Sequence, residues 1–140
     1  MSFETILPQG AATRLTDGWI YLDVRTSEEF AEGHPPGAYN IPVATMSPAG
    51  MVPNDSFLAV VQRHFPADTS FVVGCKAGGR SAMACEIMGE GGYVSLANMD
   101  GGYHGRPDGM GGLAVEGWAA CGLEQCVTPQ EGRTWKELVG

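Results

Sequence analysis

Residues 71–81 read Phe-Val-Val-Gly-Cys-Lys-Ala-Gly-Gly-Arg-Ser. Phe71, Val72 and Val73 form a short apolar run of strand-forming types, the pattern of a buried β-strand. The run leads directly into Cys75, and a six-residue loop continues to Arg80. A helix is then expected from Ser81 to Glu90, with Ala84, Ile87 and Met88 inward. In open α/β sheets, ligands gather beyond the carboxyl ends of the strands. A helix start adds unpaired backbone N–H groups and partial positive charge. Gly78 and Gly79 let the loop curl, so that successive N–H groups converge into an anion-binding nest. Lys76 and Arg80 add two full positive charges. Such a cup favours a thiolate at Cys75 and an oxyanion beside it. The plain alternative is a small buried cysteine at a strand end, followed by an ordinary turn.

The flanking sequence repeats the strand–helix alternation. Residues 19–24, WIYLDV, read as a second buried strand that ends at Asp23-Val24-Arg25. Thr26 and Glu29 fit a capping box that opens a short helix through Ala31. His34-Pro35-Pro36-Gly37 is a turn, and Ala38 to Val43 an extended piece. Residues 55–65 place Phe57, Leu58, Val61 and Phe65 on one helical face, and Pro66 stops the helix. Tyr93 to Leu96 reads as a further strand. Short strands alternating with short helices predict an α/β fold with an open parallel sheet.

Composition bounds the function. At 140 residues the chain is about one domain, and 44% hydrophobic against 17% charged residues excludes a disordered chain. A net charge of −8 argues against nucleic acid as a partner. No apolar run approaches the ~18–20 residues of a membrane span. The opening MSFETILPQG lacks the charged start and apolar core of a secretory signal, so a cytoplasmic location is expected. Of the 21 glycines, sixteen fall in residues 74–140, which places the tight turns in the second half. The four cysteines (75, 85, 121 and 126) form no CxxC pair and no zinc-finger spacing with histidine. They read as free thiols, and no metal or cofactor is expected.

Three motifs in order resemble the rhodanese-type sulfurtransferases, the single-domain members in particular. They are LDVRTSEEFAEGHPPGAYNIPV at 22–43, VVGCKAGGRS at 72–81, and MDGGYHG followed by Trp118 and Gly122-Leu123. The resemblance covers roughly residues 3–124. It implies a five-stranded parallel sheet flanked by helices. It also implies that Cys75 is a nucleophile that cycles through a persulfide, and that Lys76, Ala77, Gly78, Gly79, Arg80 and Ser81 cradle the sulfur donor. Asp23 and Arg25 match a D-x-R pair beside the site, with Asp23 structural. Arg25 is open to two roles, contact with substrate or a pairing with Glu29. His34 matches the family turn and is read as structural. A small anionic donor such as thiosulfate is implied, with cyanide, a thiol or a partner protein as acceptor. Within the fold, relatives acting on phosphate or arsenate carry a loop one residue longer than Cys75–Arg80.

Two regions depart from the pattern. Residues 106–117 interrupt the G-G-Y-x-x-W run and read as an insertion in a domain spanning 1–126; Arg106 could approach a bound anion. With four glycines and a proline it is either a mobile lid or a tolerated surface loop. Residues 127–140 form a tail in which Trp135 and Leu138 could pack as a short helix. Cys85 reads as core, and Cys121 or Cys126 as a possible resolving thiol. Besides a sulfurtransferase, the sequence admits a persulfide carrier for one partner protein and, less well, a phosphatase or arsenate reductase.

Overall fold

The most apolar segments lie side by side. The structure, a computed structural model, describes residues 3–140. Its elements are β1 (Glu4–Ile6), α1 (Pro8–Thr16), β2 (Ile20–Asp23), α2 (Ser27–Glu32), β3 (Tyr39–Asn40), β4 (Ala44–Ser47), β5 (Gly50–Pro53), α3 (Phe57–His64), β6 (Ser70–Gly74), α4 (Gly79–Glu90), β7 (Ser95–Met99), β8 (Arg106–Pro107), β9 (Leu113–Val115) and α5 (Trp135–Val139). Five strands form one sheet in the order β1-β7-β6-β2-β3, and every pair is parallel. β6 is central, with Val73 opposite Leu22 on one side and Asn98 on the other. Alternate β6 side chains serve opposite faces, as the pleat requires. Phe71 and Val73 pack with Phe57 and Val61 of α3, Ala84 and Met88 of α4, and Leu138 of α5. Val72 packs with Ala11 of α1, Phe30 of α2 and Trp118. The α/β architecture expected from the sequence, a five-stranded parallel sheet flanked by helices, is therefore present.

Several boundaries differ from the sequence reading. β7 begins at Ser95, because Val94 points outward while Tyr93 caps the core and donates its hydroxyl to Phe65 O at 2.6 Å. α4 starts two residues early, at Gly79, and buries Cys85 with Ala84 and Met88, leaving Ile87 at the margin. α3 turns Val60 inward, and Leu58 and Phe65 stay partly exposed. The capping box at Thr26 and Glu29 is present as read.

The tail closes an open edge. Arg133 O accepts the Asn40 N–H at 2.9 Å, so the tail covers part of the β3 edge. Thr134 and Glu137 form a second capping box for α5, which seats Leu138 in the core. Arg63 then donates to the Leu138 and Val139 carbonyls at 2.8 and 2.9 Å. Residues 106–117 contain an antiparallel hairpin, β8–β9, whose turn is tied by Asp108 accepting from the Met110 and Gly112 N–H groups. No helix among the described residues is long and apolar enough to cross a membrane.

Candidate active site

The carboxyl end of β6 delivers Cys75 to the start of the loop that leads into α4. Cys75 is 1% exposed, and its Sγ accepts the Gly78 N–H at 3.0 Å. The loop turns back on the sulfur at Gly78, whose φ of +120° is glycine territory. α4 follows at once, so its first N–H groups, which lack intrahelical acceptors, open toward the same end of the sheet. Ser81, the third residue of α4, is fully buried with its Oγ 3.4 Å from Cys75 Sγ.

A second turn clamps the loop from behind. Tyr103 N–H donates to Cys75 O at 2.7 Å, and His104 N–H to Lys76 O at 3.0 Å. This contact explains Gly102, at φ +57°. A Cβ there would overlap Cys75 O and the Lys76 carbonyl. The G-G-Y motif thus holds the backbone of the Cys75 loop, which its spacing in sequence alone did not reveal.

Two ion pairs sort the charges around the loop. Arg25 is 1% exposed and grips Asp23, with Nη2–Oδ2 at 2.6 Å, while also donating to Gly33 O at 2.6 Å. Its guanidinium lies 4.5 Å from the Tyr103 ring centre. The pairing of Arg25 with Glu29 does not form, because Asp23 is two residues away at the end of β2 and satisfies the guanidinium first. Glu29 pairs instead with Arg80, in a two-pronged contact of 2.7 and 3.0 Å. Burial pushes the Glu29 carboxyl up, but the bonds from Arg80 and Thr26 outweigh it and hold the carboxyl at about 2. Arg80 is thereby braced against α2, leaving its other N–H groups to face elsewhere.

Lys76 is exposed and has no ion-pair partner among the described residues. With Arg80, Thr26, Glu28, Glu29, Met46 and Met51 it lines a cavity of about 620 Å³. The two methionines come from the β4–β5 hairpin, an element absent from the sequence reading; Met46 is 66% and Met51 43% exposed. Ala77 and Gly79 lie on the same loop between the two cations. Arg106 does not join this group. It pairs with Asp100 at 2.9 Å, at the foot of the β8–β9 hairpin.

The remaining thiols and the histidine have other places. Burial, with a smaller contribution from Cys75, pushes the Cys85 thiol up to about 12, so Cys85 is an inert core residue. Cys126 Sγ lies 2.9 Å from Thr128 O, and Cys121 sits in a separate groove with Leu7 and Leu113. All four cysteines are free. His34 is buried, stacked on Phe30 at 3.8 Å, with Nδ1 2.8 Å from Phe30 O. No metal-ligand cluster occurs among the described residues.

A strand-end cysteine in a glycine loop, clamped by a G-G-Y turn, finds its counterpart in one family. The family model described as the rhodanese-like domain matches residues 7–105. The chain belongs to the rhodanese-like family. Thiosulfate sulfurtransferase 16, chloroplastic, of Arabidopsis thaliana is 42% identical over 89 residues, covering 64% of this chain and 74% of that protein. Protein HIGH ARSENIC CONTENT 1, mitochondrial, of the same plant is 43% identical over 100 residues, covering 71% and 59%. Thiosulfate sulfurtransferase GlpE of Haemophilus influenzae is 31% identical over 105 residues, covering 75% and 89%. The chain spans between 55% and 74% of the length of the first plant relatives it matches. The solved structure of Rv0390 from M. tuberculosis superposes with a TM-score of 0.75 at 29% identity, covering 91% of this chain and 100% of that one. The rhodanese-like fold and the single parallel sheet thus agree in sequence and in shape.

Proposed function

We propose that the protein is a sulfurtransferase in which Cys75 carries sulfur as a persulfide. The observation that carries this reading is the Cys75 sulfur itself. It is buried at the carboxyl end of the central strand, accepts a backbone N–H, and has two cations on its loop. In the first half-reaction the Cys75 thiolate attacks the outer sulfur of thiosulfate. The S–S bond breaks, its electron pair leaves with sulfite, and Cys75 becomes a persulfide anion. In the second, an acceptor such as cyanide attacks the terminal sulfur, thiocyanate leaves, and the thiolate returns. Loop N–H groups and the helix start stabilise the anionic sulfur throughout, and Lys76 and Arg80 hold the anionic donor and offset charge on the departing sulfite. Gly78 and Gly79 give the loop its curl, Ala77 keeps it narrow, and Ser81 closes its floor. Asp23 and Arg25 act as a buried brace for the wall of the site, and contact between Arg25 and substrate is not part of the mechanism. The transfer as written starts from the Cys75 thiolate and passes no proton, so no general base enters it.

The exposed methionines favour a second reading, in which the physiological acceptor is a partner protein. Met46 and Met51 give the cavity beside Lys76 an apolar rim, larger than thiosulfate or cyanide needs. The free thiols fit a reducing compartment, cytoplasmic in this reading, and fractionation tests that location. Thiocyanate release from thiosulfate and cyanide, by wild type and Cys75→Ser, tests the activity. Turnover by the wild type alone supports it. Arsenate reduction or phosphate-ester cleavage in place of thiocyanate release overturns it.

A further inference from the structure

Ser81 has more acceptors than protons. Its Oγ lies 3.4 Å from Cys75 Sγ, 3.1 Å from Gly78 O, and in a short hydrogen bond with Asn98 Oδ1. A hydroxyl carries one proton and two lone pairs. Gly78 O can only accept, and a thiolate can only accept. With Asn98 presenting its oxygen, three acceptors face one proton and nothing donates to the Ser81 oxygen. That direction is satisfied only while Cys75 is a neutral thiol. Its S–H then points at Ser81, and Ser81 donates onward to Asn98.

An ionised Cys75 needs the chain to run the other way. A half-turn of the Asn98 carboxamide exchanges Oδ1 for Nδ2. Nδ2–H then donates to Ser81 Oγ, and the Ser81 proton is committed to the sulfur. The Asn98 side chain makes no other hydrogen bond among the described residues, so none opposes the turn. Its backbone is fixed in β7 beside Val73 of β6, and both Ser81 and Asn98 are buried.

We propose that Asn98 is a positioning residue that sets the direction of the Ser81 hydroxyl and so holds Cys75, and then its persulfide, in the anionic form. The proposal rests on the reading of Cys75 as the sulfur-accepting nucleophile, and it gives a role to a side chain that acts on the sulfur only through Ser81.

Alkylation of Cys75 by iodoacetamide, followed across pH by site-resolved mass spectrometry, reads the effect without any sulfur transfer. Ser81→Ala and Asn98→Leu should each move the midpoint of the profile up by about one pH unit, the effect of losing one hydrogen bond to an anion. The double variant should match Ser81→Ala alone, since Asn98 has no route to the sulfur except through that hydroxyl. Asn98→Ala serves as the second variant, and thermal melts identify the folded proteins. An unshifted midpoint in folded Asn98 variants, or shifts that add in the double variant, would overturn the relay. Sulfur uptake from thiosulfate is scored separately by intact mass. Uptake with an unshifted midpoint sinks the relay and leaves the sulfurtransferase standing. A coupled midpoint shift without uptake keeps the hydroxyl relay to the thiolate but overturns its persulfide role together with the sulfurtransferase reading.

Discussion

Replacing Glu29 with Gln removes one negative charge beside Arg80 and leaves the shape of the cavity they line. Glu29 accepts from Arg80 at 2.7 and 3.0 Å and from the Thr26 N–H at 3.1 Å. Its carboxyl is lowered from 4.5 to about 2, because these bonds outweigh a burial that by itself would raise it. A drop of about 2.5 pH units, at ~1.4 kcal/mol each, sets a ceiling of about 3 kcal/mol. The Glu29 side chain is 25% exposed and Arg80 19%, so water screens the pair and about 1–2 kcal/mol is expected. The folded value is depressed, so this stability is present above pH 4.5 and is lost as pH falls through 2. Glu29→Gln should therefore be less stable by about 1–2 kcal/mol at pH 7. Below pH 4.5 the two proteins should converge, because a protonated Glu29 resembles Gln. Urea midpoints at a series of pH values, with the slopes compared, measure the difference. A gap that stays constant down to pH 2.5, or no gap at pH 7, would refute the assignment of Arg80 to Glu29.

Three further outcomes follow from the same geometry. Arg25→Met strands the buried Asp23 charge and should cost about 3–5 kcal/mol in chemical denaturation, where a surface arginine would cost well under one. Gly102→Ala must both hold a left-handed backbone and push Cys75 O and the Lys76 carbonyl away. Thiocyanate formation should fall at least about tenfold in the folded variant, the effect of a small misplacement of a reacting atom. Leu138→Ala opens a cavity between α3 and α5, and should cost about 2–4 kcal/mol by the same denaturation while leaving the KM for thiosulfate unchanged.

The parts of the fold legible in the sequence are those with strong local signals. The run Phe71–Val73 into Cys75 and the capping box at Thr26 and Glu29 appear where they were read, and the helix that became α3 is present with its buried face turned toward Val60. β1 and α1 were missed, because Glu4–Ile6 is three residues long and α1 has only two buried positions. β1 exists through its pairing with β7, a contact of distant residues that no local pattern encodes. The same holds within the site. The cysteine, the glycines and the cations were visible as a motif. Which carboxylate meets which arginine was decided by the sheet, which sets Asp23 under Arg25 and leaves Glu29 for a residue 51 positions away. Asn98 carried no signal beyond a polar residue in an apolar strand. That signal was available, since a buried amide needs a partner, and the nearest was the serine at the end of the Cys75 loop. The tail was legible only as Trp135 and Leu138 at helical spacing; its docking on β3 required Asn40 to expose an edge N–H.

The most direct test of the account is the intact mass of the protein before and after thiosulfate, for the wild type and Cys75→Ser. The account predicts that the wild type alone gains one sulfur atom, and that cyanide removes it as thiocyanate. A wild type that gains nothing, or a Cys75→Ser variant that gains the same sulfur, would contradict it.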